Sequence, residues 1–560
     1  MKFHWVFFLL FSNFLLAQNE IPQDYFQNPL KINPLLSGTF GELRNNHFHG
    51  GWDIKTEQQE GLEVVSSAEG FVSRIKISTY GYGKALYIQH PNGYTTVYGH
   101  LSKLSPEIEA FVEKKQYENE SFEIELFPEA DELPVSQGQL IAFSGNTGGS
   151  GGPHLHFEIR DGQQRPMNPM LFGIEIKDTR PPTIRSLYVY PLSEDAHVNN
   201  SNNRQRINLT GLKDGSFKAN TITACGDIGF GISTTDKLDG SHNNNGVFKI
   251  TSVLNGQKMS ELLFDRFSFA ETRFLNHLID YEFYSNHNSR VQKLFNTNNP
   301  VSIYKDVTNE GKLHIQDEMS YEYQIHVSDF AGNERIIRIP IEGKQAENLI
   351  SQKDTTGILV NSDASFVFEK NGIDLYIPEN ALYEDVYLDL EFENGIAKVH
   401  KDDVAIHKHI SLGFDVSNYK MEDRGKLFIG RIGYKGRPIY SETNMNGDRL
   451  VTGIRTFGEY KIFSDTTPPS VKSVNFRDGQ WISNLSTLQI RISDYETGIK
   501  SYKATVNGKF ILMEYDYKTN LLTHYFEDGV VTDTENKLKL IVTDNVGNST
   551  IFEATFFRKQ

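Results

Sequence analysis

Three short stretches carry residue types that could do hydrolytic chemistry. HLHFEIR, residues 154–160, reads as a β-strand in which His154, His156 and Glu158 share one face while Leu155, Phe157 and Ile159 share the other. HGGWD places His49 and Asp53 four residues apart with Gly50 and Gly51 between them. Paired glycines cost roughly 1 kcal/mol each inside a helix, so an extended segment is expected there, and it too presents both side chains on one face. YTTVYGHL is expected to put Thr96, Tyr98 and His100 on one face of a third strand. Zinc catalysis asks for about three ligands from His and Asp or Glu and an open position for water. His49 and Asp53 would supply two of them, with His154 or His156 as the third. Two imidazoles and one carboxylate suit zinc best among divalent transition metals. Histidines left unligated titrate in the range needed to move a proton at neutral pH.

The elements that must position these groups are legible around them. Glycines at 145, 148, 149, 151 and 152 form a tight loop ahead of His154, and a Pro-Asn-Gly turn at 91–93 precedes the YGHL strand. HExxH, the helical zinc-peptidase motif, is absent, so a mechanism with a glutamate base on that helix is not supported. Other candidates have plainer expected roles. His47 lies six residues from Asp53, and His90 ends a strand before the turn, so both are expected to be structural. Tyr98 is expected to pack or to donate to an oxyanion, and Glu158 to orient a ligand or stand in solvent. His407 and His409 repeat the H-x-H spacing without a glycine lead or an acidic neighbour, and are expected on a surface strand.

HFHGGWDI, YGYGKALYIQHPNGYTTVYGHL and GQLIAFSGNTGGSGGPHLHFEI together resemble, in order and content, the lysostaphin-type (LytM-like) zinc metallopeptidases, whose pattern is H-x-G-x-D, a lone His, then H-x-H. The resemblance covers about residues 37–172, under a third of the chain. It implies one zinc ion held by His49, Asp53 and His156, with His100 and His154 beside the metal-bound water as catalytic groups. It also implies a peptidoglycan substrate, with hydrolysis of a stem or cross-bridge amide. Two other readings stay open: a catalytically silent wall-binding scaffold or hydrolase regulator, and a secreted peptidase that cuts proteins. After His100 the chain departs from the pattern with an insertion at about 105–134. Ser105 as N-cap, Pro106 at the first helical position and an Ile108, Phe111, Val112 stripe predict a short helix, and FEIEL a strand. The insertion is expected to wall or cover the substrate groove.

The whole chain of 560 residues is too long for one core. Abundant aromatics, Thr and Gly, with few helical periodicities, predict a multidomain all-β protein. A net charge of −16 argues against a nucleic-acid partner. Residues 1–18 read as a signal peptide with one Lys, an apolar run and Ala17; no later stretch is expected to span a membrane, so the mature chain is expected in the periplasm or outside the cell. Cys225 is the only cysteine, which excludes an intrachain disulfide. Two sets of phrases recur: DTRPP (178–182) with DTTPP (465–469), and VSDFAGN with VTDNVGN, ending at Asn333 and Asn548; DIGFG from Asp227 is matched with DYETG from Asp494. The pattern resembles bacterial immunoglobulin-like domains. The expected order is a metallopeptidase domain at 19–175, an immunoglobulin-like β domain at 176–344, a β-rich domain at 345–464 and a second immunoglobulin-like domain at 465–560, the C-terminal β domains offering surfaces for a protein partner.

Overall fold

Period-two alternation in the first third of the chain becomes a run of short strands: β1 Leu36–Gly38, β2 Trp52–Lys55, β3 Glu63–Val65, β4 Gly70–Ile77, β5 Lys84–Gln89, β6 Thr95–Leu101 and β7 Lys103–Leu104, then helix α1 Pro106–Asn119, then β8 Ile124–Leu126, β9 Pro134–Val135, β10 Leu140–Phe143, β11 His154–Arg160 and β12 Pro166–Met167. The structure, a computed structural model, describes residues 21–296, 298–346 and 357–559; the expected signal peptide lies outside the described residues. The main sheet runs β1-β2-β11-β6-β5-β4-β8 with antiparallel neighbours throughout. Its centre, β2-β11-β6, is built from the three stretches singled out above. Register places His156 of β11 opposite Asp53 of β2 and Gly99 of β6.

The opposite face of these strands holds that register. Trp52, Ile54, Tyr98, Leu155, Phe157 and Ile159 are fully buried in one core. Each such side chain contributes about 1.5–3 kcal/mol by leaving water, so a one-residue slip, which would turn all of them outward, is strongly disfavoured.

The insertion forms the expected helix and strand. Ser105 takes the N-cap position of α1 without a side-chain cap bond, Pro106 opens the helix, acidic Glu107 and Glu109 stand at its positive end, and Ile108 and Val112 are buried. Its outer side is a dock for the C-terminal domain. Tyr117 donates to Asp528 and accepts from the Leu512 amide at 3.2 Å, Glu120 pairs with Lys503, and the buried Lys84 reaches Glu514 at 2.7 Å.

Beyond residue 176 a strand from Ile222 to Thr235 pairs with Thr183–Pro191 and centres a large sheet. Its core takes in Phe40 and Phe48 from the segment before His49, both packed on Phe267 at centroid separations of 5.1 and 5.3 Å. In return Leu238 lies in the first core. The two units are therefore interlocked through the segment that leads to His49.

Residues 358–464 form chiefly two five-stranded sheets around their own core. His407 is not on a surface strand: it sits in a bend, half-buried between Phe274 and Tyr383, because those rings offer it a packing slot. The C-terminal unit is a four-stranded and a five-stranded sheet closing on Ile490, Leu540 and Phe556.

Strand pairing is alike in the two expected copies and corrects one equivalence. Ser470–Ser473 on Thr487–Ser493 repeats Thr183–Pro191 on Ile222–Thr235, so Asp494, at the end of its strand, corresponds to Asp236 and not to Asp227. Asp227 lies within its strand and pairs with His314. Among the described residues no helix is long and apolar enough to cross a membrane.

Candidate active site

The chemical face of β2, β11 and β6 gathers four histidines and Asp53. His49 Nε2 lies 3.0 Å from Asp53 Oδ1, His156 Nδ1 lies 2.9 Å from the same oxygen, and the two nitrogens are 3.1 Å apart. A tetrahedral ion with ligand bonds of about 2.0–2.1 Å would set edges of roughly 3.3 Å, close to what these atoms span. The donor set fits a metal for a second reason. His49 Nδ1 donates to the Thr39 carbonyl at 2.8 Å, so its Nε2 keeps a lone pair for the centre. His156 Nε2 donates to Glu158 at 2.8 Å, so Nδ1 is the atom this ring offers the centre once its proton leaves.

The local sequence explains this convergence. Gly51 is required because a Cβ there would stand 2.2 Å from the Phe157 carbonyl, and Gly50 sits against the Glu158 carboxylate. A side chain at Gly51 would force β2 and β11 apart. Gly148, at φ +68°, backs onto Gly81 and Gly83, where a Cβ would meet backbone at 2.3 Å. The two glycine loops thereby lock together and present the Thr147 carbonyl, which accepts from His100 Nδ1 at 2.8 Å.

His100 reaches the centre by breaking the strand's alternation. It has φ +61°, and register shifts between β5 and β6 close to this point. Thr96 and Tyr98 therefore do not share its face. Tyr98 turns into the core, where its hydroxyl accepts from the Ser67 amide at 2.9 Å and from Thr96 Oγ1 at 3.0 Å. Its expected alternative as an oxyanion donor is excluded by that burial. His154 Nδ1 donates to the Gly152 carbonyl at 2.8 Å, its Nε2 is 3.3 Å from Asp53 Oδ1, and its ring lies 4.8 Å from that of His100. His90 is tied to the Glu69 carbonyl and Thr96, and His47 to the Asn45 carbonyl, so neither joins the group.

Several positioning residues carried no readable signal in the sequence. Arg44 bonds Asp53 Oδ2 and Glu42. Behind His156, Glu158 accepts from Tyr82 and from Arg160 Nε at 2.6 Å, while Arg160 lies over the rings of Tyr87 and Phe269. Tyr82 also stacks on His156 at 4.8 Å. Phe269 and Thr39 could not have been found by strand periodicity, since they arrive from another domain and from a turn.

Electrostatics follow from burial and this pairing. Burial opposes ionisation of Asp53, yet the adjoining His49 imidazole and hydrogen bonds from His154, His156 and His49 hold it well below the ordinary carboxylate range. Burial pulls His49 down to about 4 and His100 down to about 3, so both stay neutral at pH 7. At His156 burial is outweighed by its bonds to Asp53 and Glu158, which hold it up to about 9. Glu158 is buried, but Arg160 and His156 bring it down to about 2. Beside Asp53 and His154 opens a groove of about 1140 Å³ with Leu35, Lys55 and Glu57 in its walls.

The family model for Peptidase family M23 matches residues 47–117 and 130–169, and that for a Zu5-like domain matches 358–465. The DD-carboxypeptidase/endopeptidase Mpg of Neisseria meningitidis serogroup B is 37% identical over 128 residues, 23% of this chain and 23% of that protein. The peptidoglycan DD-endopeptidase ShyA of Vibrio cholerae is 36% identical over 133 residues, 24% of this chain and 25% of that protein. The matched part thus spans a quarter or less of the length of these relatives. A solved zinc-containing peptidase from Vibrio cholerae is 27% identical, covering 27% of this chain and 39% of that one, with a TM-score of 0.20. The segment matched by the Peptidase family M23 model, within 47–169, holds the whole histidine and aspartate group.

Proposed function

We propose that the chain is an exported, zinc-dependent endopeptidase that hydrolyses amide bonds in the peptide part of peptidoglycan. The observation that carries this reading is the convergence of His49 Nε2, Asp53 Oδ1 and His156 Nδ1 beside two further imidazoles. Zinc at these three atoms would supply a Lewis acid and a water acidified toward pKa ~7. The protein's own groups do the rest. His100, kept neutral by burial and fixed by the Thr147 carbonyl, presents Nε2 as a proton acceptor. His154, held through Nδ1 by Gly152, stands across from it. Between them the pair can take a proton from the attacking water, steady the tetrahedral oxygen and return a proton to the departing amine.

The groove fits an extended peptide, with Lys55 and Glu57 in its walls. The names of the relatives and the apolar leader at 5–16 support a wall substrate reached by export. The experiment is digestion of purified peptidoglycan by the mature chain, with and without a chelator and beside His156→Ala, followed by identification of new muropeptide ends. Chelator-sensitive release of amine at a stem or bridge amide, absent in the variant, is expected. No release from the zinc-loaded chain would overturn the proposal.

A further inference from the structure

A second group of ligand-type side chains lies where the chain leaves the peptidase domain. Asp178 in the linker, Asp236 at the end of the 222–235 strand and Asp329 in the turn after Ser320–Ser328 bring carboxylate oxygens within 4.8 Å of one another. Asp236 and Asp329 are 3% and 4% exposed. Among the described residues no Lys or Arg forms an ion pair with any of the three.

The decisive atom is Asp236 Oδ1. It is one of the buried side-chain oxygens with no hydrogen-bond partner among the described residues. Buried carboxylates are otherwise paired or ligate a metal, because an unsatisfied one is costly. The corresponding trio of the C-terminal domain, Asp465, Asp494 and Asp544, is built alike but satisfied differently. Asn548 there bonds Asp544 Oδ2 and the Asp465 carbonyl as Asn333 bonds Asp329 Oδ2 and the Asp178 carbonyl. Thr497 Oγ1 donates to Asp465 Oδ2, and the amides of Thr497 and Gly498 donate to Asp494. Among the described residues no hydroxyl stands in the first copy where Thr497 stands in the second, bonded to Asp178 or Asp236.

We propose that Asp178, Asp236 and Asp329 bind Ca²⁺, and that the ion pins the loop 236–246 against the edge of the active-site sheet. Oxygen-only donors select a hard cation over zinc. Mg²⁺ demands near-ideal octahedral geometry, whereas three carboxylates from three separate segments suit the looser coordination of Ca²⁺. A cavity of about 810 Å³ lined by all three carboxylates gives access.

The loop makes the consequence specific. Leu238 is buried in the peptidase core, Ser241 Oγ donates to the Leu36 carbonyl of β1 at 3.0 Å, and the Gly246 amide donates to Thr39 Oγ1 at 3.1 Å. Thr39 is the residue whose carbonyl fixes His49.

The test uses the zinc-loaded mature chain, Asp236→Asn and Asp178→Asn. Equilibrium dialysis against Ca²⁺ counts bound ions, and thermal unfolding is followed with and without millimolar CaCl₂. Affinity on the order of 10⁻⁴–10⁻³ M is expected for an extracellular module. Wild type is expected to bind one more Ca²⁺ than either variant, whatever the second trio takes up. Without Ca²⁺, Asp236→Asn is expected to be at least as heat-stable as wild type, because it removes an unpaired charge; with Ca²⁺ the order reverses. Equal ion counts in wild type and both variants, or an equal rise of Tm with MgCl₂, would overturn the assignment. Neither readout depends on peptidase activity, so it fails or stands apart from the proposed function.

Discussion

Arg44 grips the one oxygen of Asp53 that does not face the histidines. Oδ2 takes the guanidinium, while Oδ1 stays 3.0 and 2.9 Å from His49 Nε2 and His156 Nδ1. The arginine therefore aims Asp53 Oδ1 at the two imidazoles without touching them. It is itself fixed by Glu42, whose carboxylate accepts from the Thr39 amide at 2.8 Å, so the turn at 39–44 sets both Asp53 and His49. Arg44→Ala is expected to weaken zinc binding about 10–100-fold, the usual effect of removing a group that orients a ligand. Competition against a chelating dye measures it. Lysine restores only part, since one ammonium cannot span Asp53 and Glu42 as a guanidinium does.

Glu158 is the hub behind His156, and its removal should show first in stability. Glu158→Ala leaves Arg160, with 8% of its side chain exposed, as a buried uncompensated charge. A loss of about 3–5 kcal/mol is expected from urea unfolding at pH 7. The pH dependence has a definite sign. Because the folded carboxyl lies at about 2 against an ordinary 4.5, its contribution is complete above about 4.5 and fades as pH falls toward 2. The gap between wild type and variant should narrow over that window.

The contrast between His156 and His100 shows what a sequence can reveal. His154, His156 and Glu158 obey strict alternation on β11 because Leu155, Phe157 and Ile159 anchor the other face. Gly50 and Gly51 likewise announce a close strand approach. His100 was legible as a type but not as a geometry. Its positive φ breaks the period, so Tyr98 faces the core although it sits two residues away. Arg44, Thr39 and Arg160 escape notice since their partners are set by tertiary packing, not spacing. The same holds for Asp236: DIGFG resembles DYETG in letters, yet strand ends, which letters do not mark, decide the equivalence.

Zinc uptake by chelator-stripped protein should release a proton. His156 is held up to about 9, whereas His49 and Asp53 are already deprotonated at neutral pH. Between pH 7 and 9 one proton must leave His156 Nδ1 per ion bound, so apparent affinity should rise with pH by about tenfold per unit and level off near 9. Calorimetry in two buffers of different ionisation enthalpy reads the proton count; a count of zero would contradict the assignment of Nδ1 as a ligand atom.

Substitutions in the four histidines should separate holding from turning over. His156→Ala and His49→Ala are expected to lose the ion and with it all activity. His100→Ala should retain stoichiometric zinc and lose about 10²–10⁴-fold in kcat, the range for a positioned proton-transfer group. His154→Ala should behave like His100→Ala, with some loss of affinity because His154 Nε2 stands 3.3 Å from Asp53 Oδ1. Metal analysis beside rate measurement distinguishes the classes.

Phe48 offers the sharpest test of the interlock between domains. It is adjacent to His49, yet its ring is 1% exposed in the core of the following domain, against Phe264 and Phe267. Its amide also donates to Thr272 Oγ1 at 2.8 Å. Phe48→Ala should cost about 3–5 kcal/mol as a large-to-small change in a close-packed core. If the second domain is what holds the ligand segment, the same variant should also bind zinc more weakly, although it removes no ligand. Phe230→Ala, a comparable ring in the same core, serves as the control. It should lower Tm to a similar extent and leave zinc affinity at 25 °C nearly unchanged. Equal zinc affinity in Phe48→Ala and Phe230→Ala would mean that β2 and β11 alone fix His49, and that the neighbouring core stabilises the fold without positioning the centre.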